Sequence, residues 1–136
     1  MNSAKTAVYC RLASANDELF SDKERAMLNF ADDNGYAPCV CYRDNGQSGI
    51  HLDRPGLQSL LRDICSGGIE RVIVANMSRL SRNFYHTTEL LRLFADHGVE
   101  FISVNDGFTT AQANEYLLFA DGLEKMIRSQ RRRRRS

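Results

Sequence analysis

Little in this sequence would mark a membrane-bound, secreted or metal-binding chain. No apolar run approaches the roughly 20 residues of a membrane span, and the N-terminus lacks the apolar stretch of a signal peptide. A soluble, cytoplasmic protein without a membrane partner is therefore expected. No Walker A lysine motif and no G-x-G-x-x-G occur, which leaves a nucleotide cofactor without a sequence signal. No carboxylate pair is placed for two-metal chemistry. The four cysteines are Cys10, Cys39, Cys41 and Cys65. Cys39 and Cys41 would share one face of a strand, but zinc sites need further Cys or His at matching spacing. His51, His86 and His97 supply no such partner. All four thiols read as small apolar residues in a reducing compartment, with no metal and no other cofactor.

What is present suits one ordinary globular domain. The chain has 136 residues, 43% hydrophobic and 26% charged, which excludes wholesale disorder, a fibre and a disulfide-packed miniprotein. The formal net charge of +1 hides an uneven distribution. All 17 acidic residues lie in 1–127 against 12 basic ones, a net of −5. Residues 128–136 hold Arg128, Arg131, Arg132, Arg133, Arg134 and Arg135 and no acid, a net of +6. Such a tail attracts a polyanion such as DNA or RNA; an arbitrary charged chain end is the plainer account.

Four apolar or β-branched runs, Thr6–Cys10, Cys39–Tyr42, Arg71–Ala75 and Val99–Val104, alternate with helical patterns. The first helix spans about Asp17 to Asn34 and stops at Gly35. A second starts near Arg54-Pro55, where proline suits the first turn, and stops at Gly67-Gly68. A third carries Phe84, Leu90, Leu91, Phe94 and Ala95, and Gly98 closes it. This alternation predicts an α/β fold with a mostly parallel central sheet flanked by helices.

The last helix is expected over roughly Gln112 to Gln130. At about 28 Å it nearly matches the width of the domain, so part of its apolar stripe either overhangs toward a partner or docks wholly on its own sheet. Its basic end favours the helix dipole. The predicted organisation is an α/β unit over 1–110 and a long C-terminal helix with a basic tail over 111–136, within one domain.

In an open parallel sheet, ligands bind beyond the carboxyl ends of the strands. The segments after the first three strands are Arg11–Ser14, Asp44–Gly49 with Asp53-Arg54-Pro55, and Asn76–Arg82. These would bring Arg11, Arg54, Arg79 and Arg82 to one edge. Arg79 and Arg82 are three apart, so a single helical turn aims both to one side. Cations near helix N-termini oppose the dipole by about 0.3–1 kcal/mol each, an arrangement that makes sense around a bound anion. The competing account pairs each arginine with a carboxylate such as Asp44 or Asp53. The Gly-rich Asn45–Gly49 stretch reads as a mobile loop.

Val8-Tyr9-Cys10-Arg11-Leu12, Asp44-Asn45-Gly46-Gln47-Ser48-Gly49 with Asp53-Arg54-Pro55-Gly56-Leu57, and Ser78-Arg79-Leu80-Ser81-Arg82-Asn83 together resemble the serine recombinase catalytic domain. This is the resolvase/invertase N-terminal domain, also found in large serine integrases and conjugative-transposon recombinases. The likeness covers about residues 5–130. It implies DNA strand cleavage by a serine hydroxyl, through a 5′-phosphoserine link that preserves the bond energy for rejoining without a cofactor. It also implies arginines that stabilise the transition state. Carried onto this chain, Arg11, Arg54, Arg79 and Arg82 take that role, Tyr9 and Ser48 are secondary positions, and Asp44 organises the loop. The last helix would form a homodimer or tetramer interface, with its basic end along the DNA backbone. Base readout would belong to further C-terminal domains.

The resemblance has three departures. The family's serine, two residues after the first arginine, is Ala13 here, which has no nucleophilic atom. The aspartate before the Arg-x-x-Arg pair is Ser78, and a glutamine early in the first helix is Lys23. Ser14 is adjacent, but in an extended segment it faces away from position 13, so it serves as nucleophile only if the chain bends there. An engineered alanine, a natural inactive recombinase that still binds DNA, and a nucleophile displaced to Ser14 all fit these residues. A small α/β phosphatase or nucleotide-binding domain is a more distant alternative, without a matching motif.

Overall fold

The computed structural model describes residues 5–135. Its elements run β1 (Thr6–Leu12), α1 (Asp17–Asp33), β2 (Cys39–Asn45), α2 (Pro55–Cys65), β3 (Arg71–Val74), α3 (Met77–Leu80), α4 (Phe84–Asp96), β4 (Glu100–Ser103), β5 (Phe108–Thr109) and α5 (Thr110–Arg135). Asn16 caps α1 by accepting from Leu19 N at 3.0 Å. Asn83 caps α4 by accepting from His86 N at 3.1 Å. Pro55 opens α2, where a missing N–H costs nothing. At Gly56 an added Cβ would lie 2.4 Å from Arg43 O, so only glycine lets the first turn of α2 rest on the β2 backbone.

The sheet order is β2-β1-β3-β4-β5, parallel except for the antiparallel β4–β5 pair. All seven residues of β1 are buried, as befits a central parallel strand covered on both faces. Its alternation sends Ala7 and Tyr9 into a core with Leu57, Leu60 and Ile64 of α2 and Leu90, Leu91 and Phe94 of α4. Val8, Cys10 and Leu12 face Phe20, Met27 and Ala31 of α1. The chain crosses first from β1 to β2, then returns past β1 to β3. That reversal opens a crevice at the carboxyl ends of β1 and β3, where Arg11 and α3 lie.

Several bounds differ from the sequence reading. β1 and β2 continue to Leu12 and Asn45, pairing Arg11 with Asp44 in register. Arg11 and Asp44 are thus strand residues held by a ladder, where the sequence pattern placed them in loops. α3 and β5, with four and two residues, are too short to show a periodicity. α5 extends beyond the expected 112–130 to 110–135, because arginine has high helix propensity even where no apolar stripe marks it.

α5 is about 39 Å long and docks only by its first half. Ala113 and Ala120 are buried, and the Tyr116 ring meets Phe84 at a tilt, ring centroids 5.6 Å apart. Arg92 of α4 bonds Asp121 at 2.9 Å. Beyond that point Leu123, Met126 and Ile127 are exposed, as are Leu118 and Phe119. A groove of about 390 Å³ between α4 and α5 is lined by Phe84, Tyr85, Ala120, Leu123 and Ile127. Among the described residues no helix is long and apolar enough to cross a membrane, and no group of His, Cys, Asp and Glu is placed to hold a metal ion.

Candidate functional site

The site grows from the ends of β1 and β2. Tyr9 and Arg11, two apart, share the face of β1 turned toward α2 and α3. The Tyr9 hydroxyl donates to Asp44 Oδ2 at 2.6 Å and accepts from Arg54 Nη1 at 2.9 Å. Asp44 in turn accepts from Gly56 N at 2.7 Å and Leu57 N at 2.9 Å. A carboxylate thus meets the N-terminal amides of α2, where negative charge is favoured. Burial, reinforced by the Asp44 hydrogen bond, pushes the Tyr9 phenol well above its ordinary range. It stays protonated and remains a donor to Asp44.

Arg11 and Arg54 are each only 1% exposed, and backbone carbonyls hold them. Arg11 donates from Nε to Arg79 O at 3.0 Å, from Nη1 to Gln47 O at 2.9 Å and from Nη2 to Ser78 O at 2.7 Å. Arg54 donates from Nε to His51 O at 2.9 Å, from Nη1 to Arg79 O at 3.3 Å and from Nη2 to Leu80 O. Arg54 occupies the N-cap position of α2, yet its guanidinium meets the carbonyl end of α3. That contact suits a cation and relieves the dipole conflict expected from sequence. Burial, then the charge of Arg54, draws the Arg11 pKa down, with Arg79 and Arg82 contributing. The charges of the other three arginines at this edge thus all bear on Arg11.

Among the described residues, none of Arg11, Arg54, Arg79 and Arg82 forms an ion pair with a carboxylate. The pairing with Asp44 or Asp53 weighed from sequence does not occur: Asp44 is committed to Tyr9 and α2, and Asp53 is exposed. Arg79 is half-buried and Arg82 exposed, so these two face solvent while Arg11 and Arg54 lie behind.

The segment after β2 closes over Arg11. Gln47 supplies a carbonyl to it, and Gly49 O accepts from Arg82 N at 3.1 Å. Ser48 is exposed, its Oγ accepting from Ile50 N at 3.2 Å. Leu12 O accepts from both Gly46 N and Gln47 N, and Asn16 N donates to Asn45 Oδ1 at 3.0 Å. The bend at Ala13 and Ser14 is thus fastened at both ends to the neighbouring loop. Both residues are exposed, and none of the arginine hydrogen bonds reaches Ser14.

The tail arginines are remote from this edge in sequence and sit on the last turns of α5. Arg128 bonds Glu124 at 2.8 Å, with both side chains exposed. Arg131, Arg132 and Arg133 are exposed; the side chains of Arg134 and Arg135 lie outside the described residues. Sequence reasoning missed the α3 carbonyls as partners of Arg11 and Arg54, since no side-chain pattern announces a backbone acceptor. Asp106, whose Oδ2 accepts from Met77 N at the start of α3 at 3.0 Å, was marked in the sequence only by the turn dipeptide Asp106-Gly107.

The chain matches the family model "Resolvase, N terminal domain" over residues 6–136. A DNA-invertase of Enterobacteria phage P7 is 31% identical over 75 residues, 55% of this chain and 39% of the invertase. The transposon Tn917 resolvase of Enterococcus faecalis is 33% identical over 64 residues, 47% of this chain and 34% of the resolvase. The matched stretch thus spans well under half of these relatives. The N-terminal catalytic domain of TP901-1 integrase superposes with a TM-score of 0.80 at 25% identity, covering 93% of this chain and 98% of that one. A resolvase-family site-specific recombinase from Streptococcus pneumoniae gives 0.72 at 26% identity, covering 95% and 91%. With motifs, fold and matches in agreement, the chain belongs to the resolvase N-terminal domain family, the catalytic-domain family of the serine recombinases.

Proposed function

We propose that this chain is the catalytic domain of a site-specific DNA recombinase that binds a scissile DNA phosphate at the edge carrying Arg79 and Arg82. The observation that carries the reading is the cluster of four arginines that, among the described residues, form no carboxylate ion pair. Positive charge gathered at a crevice is costly unless an anion shares it, and a phosphodiester offers two non-bridging oxygens to the planar guanidinium fork. In this reading Arg79 and Arg82 contact the phosphate. Arg11 and Arg54 hold α3 and add to the field stabilising charge in the transition state. Tyr9 and Asp44 hold Arg54, and Ser48 lies on the loop beside the bound strand.

Ser14 would be the nucleophile, since Ala13 fills the family's serine position. Its Oγ forms a bond to phosphorus, the bond from phosphorus to O3′ breaks, and the net proton movement is from the serine hydroxyl to the 3′ oxygen. The phosphoserine ester keeps the bond energy for rejoining, so the reaction requires no metal or nucleotide cofactor. The α/β unit and α5 act as one catalytic domain in a cytoplasmic enzyme. Arg128 and Arg131 to Arg135 extend along the DNA backbone. The exposed stripe Leu118, Phe119, Leu123, Met126 and Ile127 supports self-association of α5 into a dimer or tetramer.

A second reading, an inactive recombinase-like module that binds DNA, is favoured by Ala13 itself and by the absence, among the described residues, of an arginine hydrogen bond to Ser14. Covalent trapping separates the two. The chain is incubated with nicked or supercoiled DNA carrying candidate sites, denatured and resolved for a protein–DNA adduct. An adduct lost in Ser14→Ala supports the recombinase. An adduct from Ala13→Ser alone identifies an intact phosphate site that lacks only its hydroxyl, and supports the binding module.

A further inference from the structure

We infer that Asp106 is a positioning residue for Arg79 and Arg82, acting from the opposite side of the crevice through the first amide of α3. Its consequence for DNA rests on the phosphate-site reading above; its structural part does not. α3 is four residues long, far too short to persist on its own, because the first helical turn costs more ordering than one hydrogen bond returns. It must be held by its surroundings. Leu80, fully buried, anchors its underside. Arg11 and Arg54 bind the carbonyls of Ser78, Arg79 and Leu80. Those contacts secure the carbonyl side alone.

The amide side has no local cap. Asn76 occupies the N-cap position with extended backbone, but its side chain makes no capping bond. Its Oδ1 instead accepts from Ser78 Oγ at 2.5 Å, which also removes Ser78 as a cap. The acceptor comes from across the sheet: Met77 N donates to Asp106 Oδ2 at 3.0 Å. The other oxygen, Oδ1, accepts from Ser103 Oγ, and Ser103 is fully buried at the end of β4.

Ser103 pairs in register with Val74, the last residue of β3. Val104 N and Asn105 N then donate to Val74 O and Ala75 O at 3.0 and 2.8 Å. The β3–β4 ladder therefore runs on into the turn and delivers Asp106 to the start of α3. Among the described residues Asp106 forms no ion pair, so both its oxygens serve this bracket. α3 is clamped between a carboxylate at its amide end and two guanidiniums at its carbonyl end. The direction of Arg79, inside α3, follows from both; Arg82 leaves the same clamped turn two residues beyond its end, with its amide held by Gly49 O at 3.1 Å.

The test compares Asp106→Ala, Asp106→Asn and Ser103→Ala in the full chain, each alone and combined with Arg79→Ala plus Arg82→Ala. A short generic DNA duplex at low salt is the probe. Asp106→Ala should weaken duplex binding about tenfold, the size of one lost charge-assisted hydrogen bond. Asp106→Asn, which keeps an oxygen acceptor for Met77 N, should recover most of that loss. In the background lacking both arginines, Asp106→Ala should have no further effect, since a residue acting through them has nothing left to position. Unchanged binding in Asp106→Ala, or the same tenfold loss in that background, would overturn the inference. If removing the two arginines leaves duplex binding intact, the phosphate reading fails instead. The free chain then decides: shifts of the Arg79 and Arg82 Nε–H resonances in folded Asp106→Ala that Asp106→Asn largely restores uphold the positioning role, and resonances unmoved in Asp106→Ala reject it.

Discussion

A methyl group placed on Gly49 would stand 2.8 Å from Arg11 Nη2 and 3.2 Å from Arg82 Cγ. The backbone of the loop lies directly on the buried guanidinium, and its own carbonyl holds Arg82 N at 3.1 Å. Gly49→Ala should therefore displace either the loop or Arg11. The expected loss of stability is about 1–3 kcal/mol, the usual cost of forcing extra volume into a packed site. Urea denaturation measures it, and duplex binding should weaken with it; full stability and binding would show that the loop yields freely.

Tyr9 joins Arg54 to Asp44 with a single hydroxyl. Tyr9→Phe preserves the ring in the core but leaves both partners one hydrogen bond short, at a cost of about 1–3 kcal/mol. Asp44 keeps its two amides and Arg54 its three carbonyls, so the variant should fold. A melting temperature equal to the parent's would show that the hydroxyl contributes nothing.

Alkaline pH should destabilise the fold by a predictable route. Burial, then the charge of Glu24, raises the Cys10 thiol from its ordinary 9.0 to about 11. Burial raises Tyr9 from its ordinary 10.0. Both groups hold their protons more tightly folded than unfolded, so their contribution is whole below the unfolded values and falls as pH rises past them. Stability should be level approaching pH 9.0 and decline above it. Thermal melts across that range should show a shallower decline in Cys10→Ala and in Tyr9→Phe; a parallel decline in both would assign it to other groups.

If the arginine tail follows the DNA backbone as proposed, it should set the salt dependence of binding. Six tail arginines engaging six phosphates give a slope of log affinity against log salt of about −5. Replacing Arg131 to Arg135 with serine should flatten the slope measured by fluorescence anisotropy. An unchanged slope would remove the tail from the interface.

The exposed end of α5 should mediate self-association. Leu123 and Ile127 line the groove against α4, and covering an apolar side chain of this size contributes about 1.5–3 kcal/mol. Leu123→Glu with Ile127→Glu should sediment as a single chain at concentrations where the parent forms a larger species. Since both positions are exposed within one chain, the melting temperature of the dilute variant should match the parent's. A parent that is monomeric at every concentration would refute the interface.

The alternating strands and helices, their glycine and proline stops and the convergence of four arginine-bearing segments were legible because each rests on local pattern. A period of two or of 3.6, a proline at a first turn and a glycine after a last one are written in adjacent residues. α3 and β5 were not legible, since four and two residues carry no period and form only where neighbours hold them.

The roles within the arginine group were decided by the tertiary structure. In sequence Arg11, Arg54, Arg79 and Arg82 are equivalent cations near loop ends. The fold buries two of them against the carbonyls of α3 and leaves the other two facing solvent, because β1 continues past Cys10 and carries Arg11 into the ladder beside Asp44. Backbone acceptors leave no trace in side-chain order, so that division of labour could not be read from it. The alanine at position 13 belongs wholly to the sequence: no arrangement of neighbours gives it a nucleophilic atom. Whether the adjacent hydroxyl of Ser14 meets a phosphate is a matter of geometry, set by the bend that Gly46, Gln47 and Asn45 fasten in place.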